Sequence, residues 1–239
     1  MTVNEIYNID FLKGIEQIPD KSIDLLITDP PYLHVKGGMK SKRYNRGSWA
    51  SQSQMVTTLS DFDETAIYTF LDAVLPKMKK ANCYIFCSKL QLVSYFKYLS
   101  EHKKLKYDLL VWDKCHPKMK STKFFTSDLE YIIRIYESGV SLHKVYTEDG
   151  TKSDVRYYTK RQAFKQPYGK HNTMKPVELI ERLIKVSSLE NDVVLDTFLG
   201  TGTTAIACQN TNRRYIGYEI DLIFFEEAKQ RIEENKSIS

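Results

Sequence analysis

Apolar positions along the chain follow two different periods, which alternate from one end of the sequence to the other. Short apolar runs rich in β-branched and aromatic residues, bounded by turn residues, predict strands. The predicted strands are Glu5–Ile9, Ile23–Thr28, Ala81–Cys87, Tyr107–Asp113, Leu129–Tyr136, Asp192–Asp196 and Arg214–Glu219. Because these strands alternate with helix-like segments, the pattern predicts an α/β sheet.

Apolar residues at helical spacing predict helices between these strands. The predicted helices are Glu64–Lys79, Lys89–His102, Pro176–Ser187, Thr203–Thr211 and Leu222–Asn235. Pro176 suits a first helical turn, where its missing N–H leaves no bond unmade, and Asp221 is a candidate N-cap. Segments 33–60, 114–127 and 138–170 show neither period and are predicted to be irregular.

The irregular segments also carry most of the positive charge. Segment 33–60 holds +5, segment 114–127 holds +4 and segment 151–170 holds +5, although the whole chain is only +5. The remainder of the chain is therefore −9. Single basic loops are often merely solvated, but three acid-poor loops in an acidic body favour a surface that binds nucleic acid.

Composition sets broad limits on the class of protein. At 239 residues with 42% hydrophobic side chains, the chain is long enough for one domain with a sizeable core. The sequence shows no secretory signal and no apolar run that could span a bilayer, so we expect a cytoplasmic protein without a membrane partner. The four cysteines lack metal-ligand spacing, which predicts reduced thiols and no metal.

A glycine loop follows a predicted strand in the stretch VVLDTFLGTGTTAIAC. Gly200 and Gly202 would let the backbone approach a ligand closely, while Thr203 and Thr204 open a helix. Glu219 ends the next strand, where nucleotide-binding sheets place an acid on ribose hydroxyls. The loop and the acid together predict a nucleotide cofactor.

Asp196, just before the glycine loop, helps to choose between cofactors. A carboxylate beside the ligand repels a pyrophosphate, and Ala205 occupies the third place of the GxGxxG pattern that NAD enzymes use. A sulfonium amino acid suits the carboxylate better. The loop therefore favours S-adenosylmethionine, with NAD as the alternative.

A second unusual stretch, IDLLITDPPYLH, ends its apolar run at Asp29-Pro30-Pro31-Tyr32. Pro30 has a fixed φ and no N–H, and Pro31 keeps it extended. If Asp29 and the Pro30 carbonyl each accept an N–H from an exocyclic amine, the nitrogen lone pair is freed for reaction. The Tyr32 ring could stack on the same base, a contact worth about 1–3 kcal/mol elsewhere. Taken alone, the four residues could also be a strand-ending turn.

The motifs DPPY and DTFLGTGTT together resemble those of the amino-group DNA methyltransferases, which act on adenine N6 or cytosine N4. Their order resembles that of the circularly permuted beta group. The resemblance implies a Rossmann-like, S-adenosylmethionine-dependent fold with a mixed seven-stranded sheet and short basic DNA-binding insertions. It divides a single domain into a catalytic half, 1–137, with the basic loop 33–60, a target-recognition insertion, 138–170, and an S-adenosylmethionine-binding half, 171–239.

The resemblance also assigns roles to residues. Asp10 and Phe11 would contact the cofactor's adenine, and HNTMKP would lie near its methionine end. The catalytic residues would be Asp29, Pro30, Pro31 and Tyr32. The expected cofactor-binding residues are Asp10, Phe11, Asp29, His171, Thr173, Lys175, Pro176, Asp196, Phe198, Gly200, Gly202, Thr203, Thr204, Glu219 and Ile220. Ile9 and Phe224 depart from the glycine and tyrosine frequent in the family, at positions outside the chemistry.

The first letter of the motif bears on the target base. In this family aspartate goes mostly with adenine and serine mostly with cytosine, so Asp29 predicts site-specific methyl transfer from S-adenosylmethionine to adenine N6 in DNA, after base flipping. The alternatives are N4-cytosine methylation, methylation of structured RNA or of a protein, and a non-catalytic DNA-binding regulator. We see no broken catalytic position, which disfavours the regulator.

Segments 33–60 and 138–170 are expected to contact double-stranded DNA through basic and aromatic side chains. The candidate DNA-binding residues are Lys36, Lys42, Arg43, Tyr44, Arg46, Trp49, Lys123, Arg156, Tyr158, Lys160 and Arg161. The short recognition segment implies a short target, dimerisation or loose sequence preference. By resemblance, a homodimer and a cognate restriction endonuclease are further expected partners, and the protein would act inside a bacterial or phage-infected cell.

Overall fold

The computed structural model describes residues 1–32, 62–115, 129–143, 157–159 and 174–238. The strands are β1 (Glu5–Asn8), β2 (Leu25–Thr28), β3 (Asn82–Cys87), β4 (Leu105–Asp113), β5 (Leu129–Glu137), β6 (Tyr157–Thr159), β7 (Val193–Asp196) and β8 (Arg214–Glu219). The helices are α1 (Phe11–Ile15), α2 (Glu64–Val74), α3 (Gln91–Glu101), α4 (Val177–Ser187), α5 (Thr203–Asn210) and α6 (Leu222–Ile238).

These strands form one mixed sheet in the order β1-β8-β7-β2-β3-β5-β4-β6. Only β5 runs antiparallel to its neighbours among the strands of the described ranges. β2 lies between β7 and β3, so the end of the strand that precedes DPPY lies beside the strand that precedes the glycine loop. Because β1, β8, β7 and β2 are parallel neighbours, their carboxyl ends meet at one edge of the sheet.

Helices cover both faces of the sheet. α1, α2 and α3 bury one face, where Phe70 and Tyr95 are fully buried, and α4, α5 and α6 bury the other, around Leu183 and Ala207. Burying one such large apolar side chain contributes about 1.5–3 kcal/mol relative to leaving it exposed. Every residue of β2, β3 and β7 is buried, which explains why these strands read as unbroken apolar runs.

The predicted α/β fold is confirmed, and each of the seven predicted strands is present with its ends shifted by at most two residues. Helix boundaries were predicted less accurately: α3 begins at Gln91 rather than Lys89, and α6 ends at Ile238 rather than Asn235. The helix predicted over Glu64–Lys79 ends at Val74 and tightens into a 3₁₀ turn over Leu75–Lys77, because Pro76 has no N–H to continue an α-helix. Pro176 is the N-cap of α4 rather than a residue of its first turn.

Two short elements were missing from the prediction. α1 has five residues, too few to display a period, and depends on its cap, where the Asp10 carboxylate accepts the Leu12 N–H at 3.0 Å. β6 lies within 138–170, which was predicted to be irregular, and its three residues pair in parallel with β4. Backbone pairing alone reveals a strand this short. Segments 33–60 and 116–127 lie outside the described residues.

Candidate active site

A cavity of about 520 Å³ opens at the edge where β1, β2, β7 and β8 end. Ligands of open α/β sheets bind at this edge, outside the carboxyl ends of the strands. The predicted site residues that line it are Asp10, Phe11, Asp29, Pro30, Pro31, Tyr32, Lys175, Asp196, Phe198, Gly200, Thr203, Thr204, Glu219 and Ile220. The structure thus places the DPPY segment and the glycine loop around one space, although they are far apart in sequence.

The two glycines of the loop differ in what they contact. Both have positive φ, 55° at Gly200 and 86° at Gly202, a region that favours glycine. The Gly200 N–H donates to Glu219 Oε2 at 2.8 Å, at the cavity wall. Gly202 lies outside the lining, and a Cβ there would meet the Ala228 Cβ at 3.1 Å. Gly202 therefore allows α6 to pack against the loop.

Glu219 is held at the tip of β8 by backbone donors. Its Oε1 accepts the Asp221 N–H at 2.8 Å, while Oε2 accepts the Gly200 N–H. Asp221 in turn accepts the Ile223 N–H at 2.8 Å, which confirms it as the cap of α6. Burial raises the pKa of Glu219 to about 7. Each carboxylate oxygen keeps a lone pair for a hydroxyl donor in the cavity.

Asp196 joins three elements at the base of the cavity. Its carboxylate accepts the Thr28 hydroxyl at 2.9 Å, the Thr204 hydroxyl at 2.6 Å and the Phe198 N–H at 3.1 Å. These bonds tie the ends of β2 and β7 to the start of α5. Burial raises the pKa of Asp196 to about 6. We call Asp196, Gly200 and Glu219 the glycine-loop side of the site.

An aromatic wall completes the glycine-loop side. The Phe11 and Phe198 rings lie 5.0 Å apart by centroid, and Phe62 and Phe70 pack against Phe198 from behind. Phe11 is directed into this cluster by α1, which Asp10 caps. Phe11 and Phe198 line the same cavity as Glu219, so an aromatic ring joined to a sugar would meet apolar side chains and a carboxylate there.

At the DPPY end, Asp29 has one oxygen engaged and one available. The Lys175 ammonium group donates to Asp29 Oδ2 at 2.5 Å. Oδ1 is buried and has no hydrogen-bond partner among the described residues. The Tyr32 hydroxyl approaches the same carboxylate closely enough to influence its pKa, but its hydrogen bond goes to Glu130 Oε2 at 3.3 Å. A buried acceptor without a donor is uncommon and calls for an external partner.

Gln91, a buried residue at the start of α3, fixes the main chain of the DPPY segment. Its Nε2 donates to the Pro31 carbonyl and to the Phe62 carbonyl, both at 3.0 Å. Sequence reasoning missed Gln91, and no motif marks it. Its two bonds restrain the chain immediately after Asp29 and so limit where the Tyr32 ring can lie.

Glu130, on β5, was also missed and lies between two lysines. Its Oε2 is 3.2 Å from Lys175 Nζ, and its Oε1 pairs with Lys114 Nζ. Burial works to raise the pKa of Glu130, but Lys175 and Lys114 together lower it. An acid next to the first residue of the otherwise largely apolar strand LEYIIRIYE is the sequence signal that could have identified it. We call Asp29, Tyr32, Lys114, Glu130 and Lys175 the lysine–carboxylate cluster.

Burial affects the other charges of the lysine–carboxylate cluster too. It raises the pKa of Asp29 despite the opposing charge of Lys175. For Lys175 burial acts to lower the pKa, but Asp29 and Glu130 outweigh it and raise the value. Lys175 was predicted in the cofactor-binding set, and the structure places its ammonium group on the DPPY carboxylate.

Several predicted site residues are not brought to the cavity by the described structure. Pro176 caps α4 and is absent from the lining, and His171 and Thr173 lie outside the described residues. Of the DNA-binding candidates, Tyr158 is described only as backbone in β6. The others lie outside the described residues: Lys36, Lys42, Arg43, Tyr44, Arg46, Trp49, Lys123, Arg156, Lys160 and Arg161.

Within the described ranges, no group of histidine, cysteine, aspartate and glutamate side chains is arranged to hold a metal ion. No helix in the part of the chain that the structure describes has the length and apolar character needed to cross a membrane.

Comparison with known sequences was consistent with this geometry. The N6_N4_Mtase family model, described as DNA methylase, matches residues 23–230. The type II methyltransferase M2.MboI of Moraxella bovis is 29% identical over 244 residues, which cover 95% of this chain and 85% of the relative.

Solved structures share the fold. A crystal structure of an M1.HpyAVI–SAM complex matches with a TM-score of 0.68 and 22% identity, covering 95% of this chain and 98% of the other. The cytosine-N4-specific PvuII DNA methyltransferase matches with a TM-score of 0.68 and 14% identity, covering 100% of this chain and 92% of the other. At these identities the similarity establishes the fold alone.

Proposed function

The chain belongs to the DNA methylase family, and from that premise we propose that it transfers a methyl group from S-adenosylmethionine to the N6 amino group of adenine in DNA. The observation that carries the proposal is Asp29 Oδ1, a buried acceptor without a donor among the described residues. It lines the same cavity as Glu219 and the glycine loop. An amine and a methyl donor could therefore meet between them.

The residues of the glycine-loop side fit the donor. Glu219 has acceptor capacity for ribose hydroxyls, and the Phe11 and Phe198 wall suits the adenine of the donor. Asp196 is buried and Glu219 is half-buried, and both carboxylates are held by neutral groups, a setting that favours a cationic ligand over a phosphate. When bound, S-adenosylmethionine supplies an activated methyl group whose carbon–sulfur bond breaks, leaving its electron pair on sulfur.

The DPPY segment would prepare the acceptor nitrogen. Asp29 Oδ1 accepts one N–H of the exocyclic amine and the Pro30 carbonyl accepts the other, which frees a lone pair otherwise delocalised into the ring. Once methylated, the nitrogen would lose one proton to the Asp29 carboxylate, from which the proton would pass to solvent. The contribution of the protein is thus mainly positioning and charge placement.

The Tyr32 ring would hold the flipped base from one side. It lines the cavity, and its hydroxyl is fixed by the bond to Glu130. Stacking on a base contributes about 1–3 kcal/mol in comparable contacts. A base inside a duplex cannot reach Asp29, so the target nucleotide must swing out of the helix first.

Adenine is favoured over cytosine by the head of the motif, where the resemblance associates aspartate mostly with adenine. Basic segments 33–60 and 138–170 would contact the duplex, with Arg46, Arg156 and Arg161 as the first candidates. A cognate restriction endonuclease and a homodimer belong to the same proposal, as does action in the cytoplasm of a bacterium or of a phage-infected cell.

Mass spectrometry of nucleosides from DNA treated with the purified chain and S-adenosylmethionine tests the proposal directly. We expect N6-methyladenine in duplex DNA and none in a reaction without the cofactor. The appearance of N4-methylcytosine instead would contradict the choice of base. Parallel reactions with single-stranded DNA and transfer RNA test the choice of duplex DNA.

A further inference from the structure

We propose that Glu130 is a positioning residue for methyl transfer, which keeps the Asp29 acceptor open by holding Lys175 and Lys114 in place. The inference rests on the proposed function, because it concerns how Asp29 receives the target amine. It is independent of which base carries that amine, since both candidate bases present an exocyclic nitrogen.

Glu130 is the central member of the lysine–carboxylate cluster. Its Oε2 lies 3.2 Å from Lys175 Nζ and accepts the Tyr32 hydroxyl at 3.3 Å, while Oε1 pairs with Lys114. The residue is only 8% exposed. Its carboxylate therefore has three donors around it and faces the cavity that Asp29 also lines.

Lys175 is restrained from several directions. Its ammonium group bonds Asp29 Oδ2 and Glu130 Oε2, and it lies 5.0 Å from the Phe86 ring centroid and 5.6 Å from that of Tyr32. Because Lys175 also pairs with Glu130, its ammonium group needs only one oxygen of Asp29, Oδ2. The other oxygen, Oδ1, stays available for an N–H donor.

The charges of the lysine–carboxylate cluster balance, with two carboxylates and two ammonium groups. Removing the Glu130 charge leaves Lys114 without its carboxylate in a place where its side chain is only 14% exposed. An unpaired buried charge is costly, so Lys114 would turn to the remaining carboxylate of the cluster, Asp29. An ammonium group on Oδ1 would block the amine. Glu130 prevents this by pairing Lys114 itself.

Replacement of Glu130 by glutamine tests the inference. In Glu130→Gln we expect kcat to fall about ten- to a hundred-fold, the scale of a small misplacement of reacting groups. The KM for DNA and the Kd for S-adenosylmethionine should change by less than about two-fold, because the proposed contacts of the duplex with the basic segments, and those of the cofactor with the glycine-loop side, lie outside the lysine–carboxylate cluster. Glu137→Gln, at the other end of β5 where Glu137 accepts the Ala81 N–H, is the matched control and should retain wild-type kcat.

A double variant separates the proposed role from a merely structural one. Lys114→Gln combined with Glu130→Gln restores the charge balance, and we expect it to recover most of the kcat that Glu130→Gln loses. If Glu130→Gln no longer melts cooperatively, only the double variant is used for the test. Its rate of DNA methylation should then be within about ten-fold of that of the wild type. A folded double variant as slow as or slower than Glu130→Gln would overturn the proposal.

The pH profile gives a second readout. The Glu130 charge raises the pKa of Asp29, so the acid limb of kcat should move to lower pH in Glu130→Gln. An unchanged kcat and profile in this variant, with an active wild type, would overturn the inference while leaving the proposed function intact. An inactive wild type would instead contradict the proposed function.

Discussion

The two sides of the cavity stabilise their carboxylates in opposite ways. On the glycine-loop side, backbone N–H groups and threonine hydroxyls surround Glu219 and Asp196, and burial raises the pKa of each. In the lysine–carboxylate cluster, ammonium groups contact Asp29 and Glu130, and the pKa of Glu130 is lowered. The first arrangement leaves negative charge to be matched by a ligand, whereas the second matches it within the protein.

The difference suggests a division of labour. The carboxyl groups of Asp196 and Glu219 are held by neutral donors, and their pKa values lie near physiological pH. They can therefore lose a proton when a cationic cofactor binds. Glu130, whose pKa is lowered by Lys175 and Lys114, keeps its charge and its geometry while substrates change. The glycine-loop side is thus suited to binding, and the lysine–carboxylate cluster to holding a reacting nitrogen.

Replacing Asp29 should have the largest effect. In Asp29→Ala we expect methyl transfer to fall about a thousand-fold or more, since the acceptor aligned with the reacting nitrogen is lost. Lys175 keeps Glu130 as a partner at 3.2 Å, so the fold should survive. Calorimetry should show unchanged S-adenosylmethionine binding. Loss of both binding and transfer would show that the two sides are not separable.

Replacing Lys175 should have the next largest effect and should move the pH profile in the direction opposite to Glu130→Gln. In Lys175→Gln, Asp29 loses the charge that opposes burial, so its pKa rises further. We expect kcat near neutral pH to fall about a hundred-fold, with the acid limb shifted to higher pH. Rates measured across the pH range test this. A shift to lower pH would contradict the assignment of Asp29 as the titrating group.

The family and the fold could be predicted from the sequence because each side of the cavity contains a motif of consecutive residues. DPPY and the glycine loop each follow a buried strand, and parallel neighbouring strands bring their ends together. The roles assigned to individual residues remain predictions. Glu130 and Gln91 escaped notice because they act through contacts distant in sequence, with Lys175 and with the Pro31 carbonyl. No spacing within one segment encodes such contacts.

The short elements escaped for another reason. α1 depends on one capping carboxylate and β6 on pairing with β4, so neither shows a hydrophobic period. Lys175 illustrates a third limit of prediction from sequence. The motif HNTMKP indicated that Lys175 lies near the cofactor, but it did not indicate that Lys175 pairs with Asp29. The partner follows only from the position of α4 against β2, which is a property of the assembled sheet.

The smallest predicted effect concerns pH and the affinity for S-adenosylmethionine. Burial places the pKa of Glu219 at about 7 in the free protein, and hydroxyl donors from the ligand would favour the ionised form. The carboxyl pKa is therefore lower in the complex, so binding is strongest above the free pKa and weakens as pH falls through it. When the pH falls from about one unit above the free pKa of Glu219 to about one unit below it, the Kd for S-adenosylmethionine should rise about ten-fold.

Glu219→Gln is the control for this effect, because it removes the titration and keeps the shape of the side chain and one of its two acceptor oxygens. Titration of the ligand itself is common to both proteins and cancels in the comparison. Calorimetry in buffers of different ionisation enthalpy should detect proton release near neutral pH for the wild type and less for the variant. Equal pH dependence in the two proteins would show that Glu219 does not carry the ligand's hydroxyls, and the contrast between the two sides of the cavity would then rest on Asp196 alone.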